Sequence, residues 1–165
     1  MKVGVALGSN LGLRQSLLEQ ALVFLQETDP ELRPSHWYVS QPVDCPEGAP
    51  DFINGFVEMN FTGDLHALLK DLQQFEQHCG RLSLADRPLN APRPLDLDII
   101  YADDEVWQTQ HLILPHPRAH ERLFVLQPMC DVCPQRLLPG QKKTISELRQ
   151  SLVERHPELL CQKIP

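Results

Sequence analysis

Asp96 and Asp98 stand two residues apart in the run Pro92-Arg93-Pro94-Leu95-Asp96-Leu97-Asp98-Ile99-Ile100-Tyr101. Leu95, Leu97 and Ile99 alternate with Asp96, Asp98 and Ile100, and a period of two predicts a strand with one apolar and one polar face. Both carboxylates then point the same way, with Cα atoms roughly 6.6 Å apart. Like charges so placed repel unless a cation sits between them. Hard cations such as Mg²⁺ take oxygen ligands, commonly one or two carboxylates together with substrate phosphates. Just upstream lie Arg81, Arg87 and Arg93, whose planar forks suit phosphate oxygens. Carboxylates for a metal beside arginines for phosphates point to phosphoryl transfer.

The elements that must position these groups follow from the pattern of apolar residues. Lys2 to Leu7 reads as a short strand ending in Gly8-Ser9-Asn10, with Ser9 or Asn10 placed to cap the next helix. That helix carries Leu17, Leu18, Ala21, Leu22 and Leu25 and stops at Thr28-Asp29-Pro30. Leu32 to Ser40 is aromatic and β-branched and predicts one strand. Residues 41–51 hold Pro42, Pro46, Gly48 and Pro50 and form a loop. A strand from Ile53 to Phe61 places Ile53, Val57, Met59 and Phe61 on one face. Asn54, Phe56, Glu58 and Asn60 take the other.

Asp64 is an N-cap for a helix whose buried stripe is Leu65, Leu68, Leu69, Leu72 and Phe75, closed by Gly80. Gln73 and Glu76 lie near each other on it. The proline-containing segment 81–94 has the length of a functional loop. After the aspartate strand come a turn at Ala102-Asp103-Asp104 and a partner strand through Val106 and Trp107. Leu112 to Pro117 is extended by its prolines. A helix is expected from His120 to Cys130 and another from about Ser146 to Arg155, capped by Thr144 or Ser146. The order β-α-β-β-α-β fits an α+β, ferredoxin-like plait with an antiparallel sheet, an added β-hairpin strand and C-terminal helices. No repeat or linker divides it, so residues 1–165 are expected to form a single domain.

Bulk properties narrow the classes. A chain of 165 residues buries a real core without staples. A net charge of −7 argues against general affinity for nucleic acid or anionic membranes. A ferredoxin-like RNA-binding module also lacks its aromatic run here. No apolar stretch approaches the roughly 20 residues of a membrane span. The opening residues are too soon broken by Gly8 for a signal peptide, so a cytoplasmic protein is expected. Five cysteines, at 45, 79, 130, 133 and 161, do not form a secreted disulfide framework. Cys130 and Cys133 make a lone CxxC, read as structural thiols.

Together these pieces resemble the 6-hydroxymethyl-7,8-dihydropterin pyrophosphokinase family of folate biosynthesis. The resemblance runs nearly the whole length. It rests on Gly8-Ser9-Asn10, Pro50-Asp51-Phe52-Ile53-Asn54, Glu76 with Gly80-Arg81, and above all Pro92 to Ile99. It continues through Leu114-Pro115-His116 and Arg122 to Pro128. It implies an ATP-dependent transfer of pyrophosphate to the pterin hydroxymethyl group, releasing AMP, in a chain expected to be a monomer. By position it makes Arg81, Arg93, Asp96 and Asp98 catalytic, with Asp96 and Asp98 holding two Mg²⁺ ions. Gln73, Glu76, Arg87, Ile99, His116 and Arg122 would contact ATP. Gly8, Pro42, Val43, Phe52, Asn54 and Phe124 would contact pterin, the two phenylalanines stacking on its ring. The loop departs from the family pattern at Ser83, Pro88 and Leu89, and Pro117 follows the histidine where a tyrosine is common. Near the pterin, Gln41-Pro42-Val43 and Asp44 also differ. These departures predict an active enzyme with a weakened lid, or a weakened relative that binds pterin or nucleotide in a regulatory role. Arg118 is a candidate for supplying a lost phosphate contact.

Overall fold

The computed structural model describes residues 1–43, 45–82 and 91–165. The chain forms β1 (Lys2–Ser9), α1 (Arg14–Gln26), β2 (Arg33–Pro34), β3 (Tyr38–Ser40), β4 (Phe52–Asn60), α2 (Leu65–His78) and β5 (Asp96–Ala102). It continues with β6 (Trp107–Gln108), β7 (Ile113–Leu114), a 3₁₀ turn (Ala119–Glu121), α3 (Leu123–Val132), α4 (Ile145–Arg155) and β8 (Cys161–Lys163). The main sheet runs β5-β1-β4-β3-β8, with β2 also paired to β4, and its neighbours are antiparallel. The architecture is mixed α and β, with a helical layer on each face of the sheet.

Alternation along the strands divides the core. Val3, Val5 and Leu7 of β1 and Ile53, Val57 and Met59 of β4 pack with Leu18, Ala21 and Leu25 of α1 and Leu65, Leu68 and Leu72 of α2. Phe56 and Tyr101 face the other way, into a second core with Leu123, Leu126, Met129, Ile145 and Leu152 of α3 and α4. The two faces expected for β4 are thus the two faces seen. The even-numbered face of β1 is small: Gly4, Ala6, Gly8. A Cβ at Gly4 would collide with the Tyr101 and Phe56 rings.

Several expectations are corrected. Ser9 belongs to β1 and Asn10 does not cap α1, whose N-cap is Leu13 without a side-chain bond. The Asn10 side chain instead accepts the Arg93 N–H at 2.8 Å, a tertiary partner that outcompetes the local one. The strand expected over 32–40 is broken, because the Ser35 hydroxyl accepts the Phe56 N–H at 2.9 Å and interrupts the ladder. The strand at Trp107 pairs with β7 and forms its own two-stranded sheet, not an addition to the main one. The β1–β5 register shifts between Gly4 and Val5, so Tyr101, not Ile100, lies opposite Gly4. The helix expected from His120 is a 3₁₀ turn followed by α3, and β8 was not foreseen. Asp64 does cap α2, accepting the Ala67 N–H at 2.9 Å, and Thr144 with Glu147 forms a capping box on α4. All five cysteines are free.

Candidate functional site

The end of α2 delivers the first arginine. Gly80 adopts φ of +92°, a conformation natural for glycine at a helix C-terminus. Its N–H donates to Gln77 O at 2.9 Å and the Arg81 N–H donates to Glu76 O at 3.0 Å, the two bonds of a Schellman motif. This turn brings the Arg81 guanidinium back onto the Glu76 carboxylate and, at 2.6 Å, onto Asp96 Oδ1. Glu76 Oε1 also accepts the Leu97 N–H at 2.6 Å, which ties α2 to the start of β5.

Arg93 approaches Asp96 from the other side. Its Nε and Nη2 reach Asp96 Oδ2 at 2.8 and 2.7 Å, a forked charge-assisted contact. Its Cζ lies 5.2 Å from the centroid of the Phe52 ring. The Arg93 backbone is gripped at both ends by Asn10, whose N–H donates to Arg93 O at 3.2 Å and whose Oδ1 accepts from Arg93 N–H.

Charge is unevenly shared among the acids. Burial raises the Asp96 pKa, but Arg93 and Arg81 outweigh it and hold the carboxyl below its ordinary value. Burial, and then the neighbouring Asp96 charge, push Asp98 up. Burial pushes Glu76 up to about 7 against the pull of Arg81. Arg122, Arg81 and Arg93 pull the Asp98 pKa down without overcoming its rise.

Two cavities meet on Asp96 and Asp98. One is lined by Gln73, Glu76, Arg81 and Leu97 on the α2 side. The other is lined by Gly8, Val43, Phe52, Asn54, Arg93, Arg122 and Phe124. In the second, the Asn54 amide donates to Ser40 Oγ at 2.8 Å, which turns Oδ1 toward the floor at Gly8. The Arg122 Cζ lies 5.5 Å from the Phe124 ring centroid. Phe52 and Phe124 thus line one flat-walled space, each with a guanidinium over one face.

Most sequence-predicted residues are brought together, with exceptions. The Ile99 side chain is buried in the α1–α2 core and lines neither cavity. Pro42 does not line the cavity that Val43 lines. Arg122, expected on the nucleotide side, lines the aromatic cavity. His116 lines neither, and burial, then Arg122 and Arg118, hold it neutral with a pKa of about 4. Arg87, Ser83, Pro88, Leu89 and Asp44 lie outside the described residues. Arg118, offered as a candidate phosphate contact, lines the aromatic cavity, and Ser40 was not foreseen. Ser40 acts only through its cross-strand neighbour Asn54, a relation invisible in residue type or spacing.

The sequence matches the model of the 7,8-dihydro-6-hydroxymethylpterin-pyrophosphokinase family over residues 4–134. The chain belongs to this family. It is 38% identical over 134 residues to the 2-amino-4-hydroxy-6-hydroxymethyldihydropteridine pyrophosphokinase of Bacillus subtilis, covering 79% of this chain and 77% of that one. It is 36% identical over 149 residues to the enzyme of the same name from Synechocystis, covering 87% and 72%. Among solved structures, an HPPK-DHPS in complex with substrates superposes with a TM-score of 0.71 at 13% identity, and a Plasmodium falciparum HPPK-DHPS with 0.69 at 15%. Each match covers 95% of this chain but only 44% and 43% of the solved chain. At that identity the likeness speaks for the fold. Membership in this family makes the chain a pyrophosphokinase of folate biosynthesis. Among the described residues no helix is long and apolar enough to cross a membrane.

Proposed function

We propose that the chain transfers pyrophosphate from ATP to the hydroxymethyl oxygen of 6-hydroxymethyl-7,8-dihydropterin and releases AMP. The observation that carries this reading is the meeting of two differently lined cavities on one pair of carboxylates. ATP enters beside Gln73 and Glu76, the pterin ring enters between Phe52 and Phe124, and the reacting oxygen and phosphorus come together at Asp96 and Asp98. The hydroxyl oxygen forms a bond to the β-phosphorus, the bond from that phosphorus to the α-bridging oxygen breaks, and AMP departs. The hydroxyl proton passes to a carboxylate oxygen of the aspartate pair.

The pair also fits Mg²⁺. Its donors are oxygens on one strand face, and burial beside Asp96 disfavours the charged form of Asp98, a cost that a bound cation would relieve. Among the described residues no group of three or more His, Cys, Asp or Glu side chains forms a complete cage. Two carboxylates without a cage suit a cation that takes its remaining ligands from phosphates and water. When bound, two such ions would neutralise phosphate charge and align the in-line displacement. Asp96 and Asp98 would hold them. Arg81 and Arg93 fix the Asp96 carboxylate and place positive charge where the bridging oxygen becomes anionic. Phe52 and Phe124 hold the ring, and the Asn54 oxygen, turned toward the cavity floor by the bond to Ser40, accepts from its edge.

The strand path β5-β1-β4-β3, with α1 and α2 on one face, supports the split βαβ plait as the core. We read residues 1–165 as one pyrophosphokinase domain, cytoplasmic and monomeric, with no nucleic-acid or membrane partner. The deciding experiment incubates the protein with the dihydropterin, ATP and Mg²⁺ and assays AMP. Pterin-dependent AMP release is expected, and its absence from folded protein would refute the reading.

A further inference from the structure

Part of the aromatic cavity's wall comes from the turn that joins β7 to α3. His116 N–H donates to Ile100 O on β5 at 2.8 Å, which fastens the turn to the aspartate strand. Ala119 N–H donates to His116 O at 3.1 Å, and Glu121 N–H to Arg118 O at 3.2 Å. The Arg118 N–H donates to His116 Nδ1 at 3.2 Å, which makes that nitrogen the acceptor of a neutral ring. Pro115 and Pro117 fix φ on either side of His116. The backbone at Arg118 is therefore held from both directions, and its side chain lines the same cavity as Asp96, Asp98 and Phe124 while remaining exposed.

The electrostatics of the two cavity walls differ. On the strand wall, Arg93 lies against Asp96. On the turn wall, Arg118 and Arg122 together add positive potential, which His116 registers as a lowered proton affinity behind the effect of its burial. An anion crossing from the nucleotide cavity to the pterin cavity meets this second wall on arrival. A guanidinium presents two parallel N–H groups that match neighbouring phosphoryl oxygens.

We infer that Arg118 contacts the substrate directly and holds the pyrophosphate group as it arrives on the pterin and while it remains there as product. The inference rests on the pyrophosphokinase reading above. Arg118 takes no part in bond making. It binds a diphosphate ester, and Arg122, seated over Phe124, flanks it.

The test compares wild type with Arg118→Ala, Arg118→Lys and Arg118→Gln, each checked by circular dichroism and melting temperature. An exposed position makes retention of the fold the expected outcome. Turnover is read from AMP release, pterin affinity from ring fluorescence, and anion affinity from calorimetry with inorganic pyrophosphate and Mg²⁺. Arg118→Ala and Arg118→Gln are expected to lower kcat and weaken pyrophosphate binding about ten- to a hundredfold, with the pterin dissociation constant within twofold of wild type. Arg118→Lys should recover part of the loss, since it restores the charge but not the fork. Unchanged kcat and pyrophosphate affinity would show a side chain solvated at the mouth and overturn the assignment. A fall in kcat with pyrophosphate affinity retained, or a loss confined to pterin affinity, overturns it too. If wild type releases no AMP, the pyrophosphokinase reading fails by itself. The pyrophosphate isotherms of wild type and Arg118→Ala then still decide the anion contact, and no pyrophosphate binding by wild type counts against it.

Discussion

The sheet carries two charge clusters, one at each end, and they are built differently. At the far end from the cavities, Glu58 of β4 is met by three cations: Arg136 at 3.3 Å, Arg33 at 3.6 Å and Lys2 at 4.0 Å. It also accepts the Tyr101 hydroxyl at 2.6 Å. Burial, then Cys133 and this bond, push the Tyr101 pKa far up and keep the phenol a donor. Arg136 completes the cluster by lying 4.1 Å from the Tyr101 ring centroid. At the near end three carboxylates, Glu76, Asp96 and Asp98, crowd together among Arg81, Arg93 and Arg122, and burial with mutual repulsion raises the pKa of Glu76 and Asp98. A carboxylate surrounded by cations is complete and belongs to the fold. Buried carboxylates that repel one another would be relieved by a cation from outside, and that crowding is what distinguishes a site from a strut.

The comparison breaks most decisively at the aspartates. Asp96→Ala and Asp98→Ala are each expected to lower turnover by about a hundred- to a thousandfold or more, because each removes a group that acts on charge developing in the transition state. Unfolding midpoints should hold or rise in Asp98→Ala, where a like-charge neighbour is lost. Turnover near wild type in either folded variant would sink the assignment of the near cluster as the site.

Glu58→Ala should behave in the reverse sense. It strands the Tyr101 hydroxyl and the half-buried Arg136, and the expected loss of stability is about 3–4 kcal/mol, read from denaturant unfolding. The kcat of the protein that remains folded should stay within twofold. A large fall in kcat with stability unchanged would show that the far cluster is not a strut.

Glu76 sharpens the contrast through pH. Its folded pKa of about 7 exceeds the ordinary 4.5, so the fold holds its proton more tightly than the unfolded chain does. The stability it contributes is complete below pH 4.5 and is lost as pH rises through about 7. Glu76→Gln cannot titrate. In metal-free buffer the variant should match wild type near pH 4 and exceed it at pH 8 by about 2–3 kcal/mol. A constant gap across that range would mean that the carboxylate is already neutralised by Arg81.

What the chain reveals without coordinates follows from which interactions are local. The Asp96/Asp98 face was legible because a two-residue period survives any packing. The faces of β4 were legible for the same reason, and the Asp64 cap because its bond to the Ala67 N–H is local. The shift that brings Tyr101 opposite Gly4 was not, since a bulge depends on the partner strand. Asn10 looked like a helix cap and is a clamp on Arg93, 83 residues away. β8 is three polar or small residues long and lies at the sheet edge against β3, so it carries no periodic signal. Family resemblance assigned Arg122 to ATP, but its cavity is set by how the turn before α3 folds back onto β5. Ile99 shows the converse limit, because a motif position identifies a residue without saying which way its side chain points.

The smallest expected effect tests the floor between the clusters. Gly8 lies on the small face of β1, and a Cβ there would stand 3.4 Å from Asn54 Oδ1, 3.6 Å from Phe52 and 3.9 Å from Asp96. These are ordinary van der Waals contacts, so Gly8→Ala should fold with little strain. The added methyl would nevertheless occupy the space between the Asn54 oxygen and the Phe52 ring, where a flat ring must settle to reach both. Lost depth weakens one hydrogen bond and part of a stacking contact, together about 1.4 kcal/mol or tenfold in affinity. Pterin binding, measured by fluorescence titration, should weaken by that amount. ATP-analogue binding, measured by calorimetry, should not change, because the cavity beside Glu76 does not touch Gly8. Equal losses of both ligands would show that the cavities are one space rather than two that meet at the aspartates.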